Sequence, residues 1–113
     1  MKLKIDEINL EEGMPSSDEA LDILKDKITR CKKNKIHCLY IIHGYGSSGI
    51  GGTIRVKIRK WLSAQVRSMK IKCMVFGEDF NIVNDDPRRL YEKYEGLENL
   101  LCCCNHGVTV IEL

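Results

Sequence analysis

The chain has 113 residues, 43% hydrophobic and 30% charged, with a formal net charge of +2. That is enough for one domain with one core and too little for two. The charge total favours no class of partner, and no stretch approaches the roughly 18 uninterrupted apolar residues of a membrane span.

The charges are nevertheless segregated. Lys and Arg gather between Lys25 and Lys35 and between Arg55 and Arg67, and acids between Asp6 and Glu12 and at Asp85 and Asp86. The opening "MKLKIDEINLEEG" carries acids where a signal peptide needs an apolar core, so a cytoplasmic location is expected. Within it, "KLKIDEINL" reads as a first strand, with Leu3, Ile5, Ile8 and Leu10 apolar and the alternation slipping near Asp6-Glu7. A helix start follows at Pro15-Ser16-Ser17-Asp18-Glu19, where Ser16 and Glu19 have capping-box spacing. Leu21, Leu24, Ile28 and Cys31 then recur at helical spacing, and the basic last turn suits the negative end of the helix dipole.

"IHCLYIIH" is almost continuously apolar, as an interior strand covered on both faces requires. Past a glycine-rich loop, a second helix places Ile54, Ile58, Trp61, Leu62 and Gln65 on one face, with Arg55, Lys57, Arg59 and Lys60 elsewhere. "MKIKCMVF" is a third strand with Ile71, Cys73 and Val75 on one side. The segment from Gly77 to Gly107 reads as loop, short helix and turn, Asp86-Pro87 being a good helix start because Pro tolerates the first helical position. "VTVIEL" is a last strand. The order β-α-β-α-β-(α)-β predicts an α/β fold in one domain over residues 1–113: a two-layer sandwich with right-handed crossovers and a four-stranded mixed sheet.

Six cysteines are present. Cys102, Cys103, Cys104 and His106 could offer soft ligands, but neighbouring strand side chains point to opposite faces and structural zinc spacings are absent. No metal site is expected, and the thiols are read as small apolar packing groups.

The loop between the second strand and second helix decides the functional reading. Gly44, Gly46, Gly49, Gly51 and Gly52 fall within nine residues. Gly44-Tyr45-Gly46-Ser47-Ser48-Gly49 satisfies GxGxxG, yet the acid that a dinucleotide site wants about 20 residues on is missing. "GSSGIGGT" nearly matches a P-loop, but Gly52 stands where the phosphate-binding Lys must be. A flexible connection is the plain alternative, at a heavy ordering entropy. The third reading is an anion cradle made of glycine N–H groups and the orphan N–H groups of the helix start. In it Thr53 caps the helix, while Arg55 and Arg59, one turn apart on the same face, each pair with a phosphate oxygen. His43, at the strand end, has a ring able to exchange a proton near neutral pH.

With His43-Gly44-Tyr45-Gly46, the downstream Ile54-Arg55 and a chain ending in "HGVTVIEL", the sequence resembles an Smr (small MutS-related) domain over nearly its whole length. The resemblance implies a sandwich similar to the C-terminal domain of translation initiation factor three. It also implies nucleic-acid binding, often with an endonuclease activity that nicks DNA or cleaves RNA. The family's first strand ends in Leu-Asp-x-His before Gly. Here Asn9 stands for the acid and Glu11 for the histidine, and the segment at about 77–106 looks like an embellishment.

The expected function is therefore binding of a DNA or RNA backbone, with cleavage as its extension. Gly44, Gly46 and Gly49 would supply backbone donors and Arg55 and Arg59 charge, while Tyr45 stacks on an unpaired base. For cleavage, His43 and Glu11 would move protons; His106 is a further candidate at the same edge, and magnesium is the cofactor to test. The same loop also suits a nucleotide or phosphometabolite, and the 77–106 segment suits a protein partner of a non-catalytic module.

Overall fold

A computed structural model of the chain describes residues 3–13, 15–44, 50–77, 85–94, 96–97 and 107–113, with backbone only for 50–53 and 85–87. The elements follow the expected order: β1 (Asp6–Asn9), α1 (Ser17–Lys33), β2 (Cys38–Ile42), α2 (Ile50–Arg67), β3 (Cys73–Phe76), α3 (Asp85–Lys93) and β4 (Val108–Glu112). They form a mixed four-stranded sheet in the order β1-β2-β4-β3. β1 runs parallel to β2, and β4 lies antiparallel between β2 and β3. The expected α/β sandwich is the fold observed. No helix among the described residues is long and apolar enough to cross a membrane.

Local chemistry sets the ends of α1. The Ser16 hydroxyl accepts from the Glu19 N–H at 3.2 Å and the Glu19 carboxylate accepts from the Ser16 N–H at 3.4 Å. This reciprocal box satisfies two donors that a helix start leaves orphaned. At the other end Lys35 takes a left-handed φ of +59°, and the Ile36 N–H returns to the Cys31 carbonyl at 2.9 Å. Met69 does the same after α2, with φ +65° and Lys70 N–H bonded to the Gln65 carbonyl.

The sheet divides its side chains between two cores, one more than the chain length suggested, because helices cover both of its faces. On one face Leu39, Ile41 and Ile111 pack under Ala20, Leu24 and Ile28 of α1 and Ile54, Ile58 and Leu62 of α2. On the other, Cys38, Tyr40, Val75, Val108 and Val110 meet Leu90, Tyr94 and Leu97 of α3 and the residues after it. β2 is apolar at every position because alternate residues serve different cores.

Three details depart from the sequence reading. β1 is short, and Leu3 instead makes an isolated bridge beside Tyr94, its N–H donating to the Lys93 carbonyl at 2.9 Å. Ile71 packs with α1 and α2, whereas Cys73 and Val75 face α3. It belongs to the turn that closes α2, so strand parity does not reach it. On α1, Ala20 is fully buried while Leu21 is only partly so.

One charge lies inside the α3 face. Glu112 is 2% exposed, and its carboxylate accepts from Lys93 Nζ at 2.7 Å, Arg89 Nη1 at 2.9 Å and the Tyr94 hydroxyl at 2.6 Å. Burial alone would push this carboxyl upward. The hydrogen bonds from Lys93, Tyr94 and Arg89 outweigh it and hold the pKa at about 2, against an ordinary 4.5. Burial, then the charge of Glu112, pushes the neighbouring Cys38 thiol up to about 12, which leaves it unreactive.

A depressed carboxyl stabilises the fold above its unfolded value and loses that contribution as pH falls through its folded value. Here the window runs from about 4.5 down to about 2. Glu112→Gln should therefore cost roughly 3 kcal/mol in urea unfolding at pH 7. The gap between wild type and variant should narrow steadily from pH 5 to pH 3. A gap independent of pH would show that the carboxylate's charge is not what holds α3.

Candidate functional site

The backbone brings three chain segments to one edge of the sheet. At the end of β1 the Asn9 side chain accepts the Glu11 N–H at 2.9 Å, and the Leu10 N–H still donates to the Ile42 carbonyl at 2.7 Å. An Asx turn of this kind ends the strand and leaves Glu11 exposed beside the exit of β2. There the His43 and Gly44 N–H groups both donate to the Gly107 carbonyl, at 2.9 and 3.1 Å. Gly44 has φ +76°, and a Cβ at this position would collide with the Glu11 carboxylate. The conformation is what demands glycine, since the exposed Glu11 side chain could swing aside. As the crossover from β2, α2 begins at this same edge.

His43 is fully buried, and both ring nitrogens are engaged. Nδ1 lies 2.7 Å from the Gly44 carbonyl oxygen and Nε2 lies 2.8 Å from Thr109 Oγ1. Thr109 Oγ1 also accepts from Arg59 Nε at 2.9 Å, while Arg59 Nη2 donates to the Val108 carbonyl at 3.0 Å. Donor counting orders the chain. A carbonyl only accepts, so Nδ1 carries the hydrogen; a guanidinium only donates, so Thr109 Oγ1 accepts from Arg59 Nε. The contacts thus run from Arg59 through Thr109 and His43 to Gly44. Arg59 also stacks 3.8 Å from the centroid of the Phe76 ring. Among the described residues no buried side-chain nitrogen or oxygen lacks a partner.

This corrects the pairing of the two arginines. Arg59 is 8% exposed and turned inward, not on a solvent face shared with Arg55. Four residues apart on a helix is a rotation of about 40°, enough to cross from the helix rim to the sheet. Arg55 is half-buried and makes no ion pair or hydrogen bond with a described residue. The first turn of α2 carries no acid. Lys57 forms an ion pair with Asp18 in the first turn of α1, and its hydrogen bond and charge hold the Asp18 carboxyl below the usual range.

Glu11, His43 and Gly44 are thus gathered at one edge. Tyr45, Gly46 and Gly49 lie outside the described residues, as do Cys102, Cys103, Cys104 and His106. α2 starts at Ile50, so Thr53 lies within its first turn and is not the cap that the sequence suggested; its side chain is outside what is described. Among the described residues no group of three His, Cys, Asp or Glu could hold a metal, and Cys31, Cys38 and Cys73 form no disulfide. Thr109 is the residue that sequence reasoning passed over. Its signal was present: in "VTVIEL" it shares the parity of Ile111 and Leu113, a hydroxyl on an otherwise apolar face.

The family model described as the Smr domain matches residues 12–74, more than half of the chain. The matched span runs from the turn after β1 through β2, the glycine loop and α2 into β3. No curated protein and no solved structure matches the chain.

Thr109→Val keeps the shape and removes the hydroxyl that Arg59 and His43 share. It should destabilise the domain by about 2–3 kcal/mol, because a charged donor and a ring nitrogen are stranded in the core. Thr109→Ser should restore most of the loss. Arg59→Ala should lower the melting temperature markedly and Arg55→Ala hardly at all. Equal, small effects from both arginines would break the assignment of Arg59 to the interior.

Proposed function

The chain belongs to the Smr domain family, whose members generally bind nucleic acid, and from that premise we propose that it holds a DNA or RNA backbone at the edge where β2 ends and α2 begins. The observation that carries this reading is Arg55. It is a guanidinium near the start of a helix with no acid in its first turn, and it has no described protein partner. An acid-free helix start favours an anion through its orphan N–H groups and its dipole, and a guanidinium adds a directional charge-assisted bond.

The remaining groups take roles around that contact. Gly44, Gly46 and Gly49 let the backbone approach a phosphate, and Tyr45 stacks on an unpaired base. Arg59 is a positioning residue: with Thr109 it fixes α2 to β4. His43 extends that chain to the Gly44 carbonyl and so fixes where the loop leaves the sheet.

Glu11 favours a second reading, phosphodiester cleavage that nicks DNA or cuts RNA. Its exposed carboxylate lies against Gly44, one residue from His43. A carboxylate there is suited to accept a proton from an attacking water. His43, held by two hydrogen bonds, is better suited to orient the site than to exchange with solvent.

Binding should weaken steeply with salt. Arg55→Ala should reduce the log–log salt slope by about 0.7–0.9, the loss of one phosphate contact, across many sequences. Gly46→Val should abolish binding and spare the fold. Unchanged affinity in both variants would refute the cradle, and tight binding of mononucleotides alone would assign the loop to a metabolite.

For cleavage, single-turnover assays on supercoiled DNA and structured RNA, with and without magnesium, give the measure. Glu11→Gln should slow the reaction roughly 100- to 10,000-fold with binding intact. Intact binding without cleavage by the wild type would make the domain a binding module.

A further inference from the structure

The C-terminal halves of α1 and α2 border an open surface cavity of about 170 Å³, far along both helices from the glycine loop. Lys25, Thr29 and Lys32 of α1 line one side, Trp61 and Gln65 of α2 the other, with Lys70 and Ile71 closing the end. Trp61 is half-buried and is the single tryptophan of the chain. Lys25 Nζ sits 5.5 Å from its ring centroid, and Lys32 Nζ donates to the Lys70 carbonyl at 3.4 Å.

Two properties define what this cavity would take. The first is charge. Three lysines converge on it, and the exposed Lys33, Lys35, Arg67 and Lys72 are near in sequence, while no acid occurs from Trp61 to Gly77. Of the neighbouring acids on α1, Asp26 is paired with Arg30 at 2.9 Å and Asp22 is exposed. The second is a flat apolar wall, the indole of Trp61 with Ile28 and Ile71 beside it. Lys25 lies over the indole as a cation in a weak, exposed contact that an entering ring can displace. Gln65 offers both a donor and an acceptor to a base edge, and Thr29, whose hydroxyl donates to the Lys25 carbonyl at 3.1 Å, offers an acceptor. An aromatic wall within a basic rim is how sequence-tolerant single-strand binders are built.

We propose that this cavity holds an unpaired nucleotide of a nucleic-acid strand, its base on Trp61 and its flanking phosphates on Lys25, Lys32 and Lys70. This rests on the reading of the domain as a nucleic-acid binder, but it is a separate contact from the loop edge. The single tryptophan makes it directly observable. A short oligothymidylate should quench Trp61 emission saturably by at least half, and a blunt duplex, whose bases are paired and stacked, should not. Lys32→Ala with Lys70→Ala should weaken binding of a labelled oligonucleotide about tenfold and lower the salt slope by about 0.7 per lost contact. Trp61→Phe, which keeps a ring, should bind better than Trp61→Leu. The leucine variant should lose about tenfold, within the range for one base–aromatic stack.

Arg55→Ala separates the two sites. Oligonucleotide binding with unchanged Trp61 emission and no effect of the lysines would overturn the cavity and leave the loop edge standing. Quenching that survives Arg55→Ala undiminished but is lost in the lysine variant supports the cavity and counts against the loop edge. Quenching by thymidine monophosphate as strong as by the oligomer would overturn the assignment to a strand. Absence of any oligonucleotide binding would refute both.

Discussion

The hydroxyl of Thr109 is the interaction on which the arrangement depends. It lies inside the sandwich, accepting from Arg59 and hydrogen-bonded to His43. A buried guanidinium is tolerated only when its donors are met, and here they are met by a hydroxyl, a carbonyl and an aromatic face. Those partners all belong to strands β3 and β4, so α2 cannot slide on the sheet without stranding a charge. The loop edge inherits that fixity through the imidazole, which carries it to the Gly44 carbonyl.

β4 repeats the device on its other face. Thr109 binds α2 into one layer and Glu112 binds α3 to the other, three residues along the same central strand. The two differ in chemistry. The acceptor for Arg59 is neutral, and specificity comes from geometry. Glu112 is an anion facing two cations that are themselves 45% and 39% exposed. Those cations remain partly hydrated, which lowers the desolvation cost of the pair. Apolar packing alone would leave register less constrained than these directional contacts do.

Much of this was legible in the sequence where the determining physics is local. Ser16 and Glu19 announce a capping box because both partners lie within one turn. The unbroken run of β2 announces a strand covered on both faces, and Gly44 announces a left-handed turn that side chains rarely adopt. Arg59 was not legible. A helical projection assigns an arginine to solvent, and only the placement of Thr109 and Phe76 turns it inward. Ile71 failed for a related reason, since the strand's first residue is set by how α2 ends. The match to the Smr domain carries the middle of the chain, where His43 and Gly44 stand, and stops before β4. The residue that orients His43 therefore lies outside the part most readily recognised.

The position of β4 also bears on how the domain is reached from the unfolded chain. It is the last strand in order and yet an interior one, and among the described residues β3 pairs with it alone. Until residues 108–112 arrive, β2 has one open side and β3 is unpaired, both with apolar faces. Pairings this distant in sequence close slowly, because the intervening chain loses entropy before any contact rewards it. The sheet is thus completed from its middle at the end, and the vulnerable species is a chain that holds β1 and β2 together while their open edge waits.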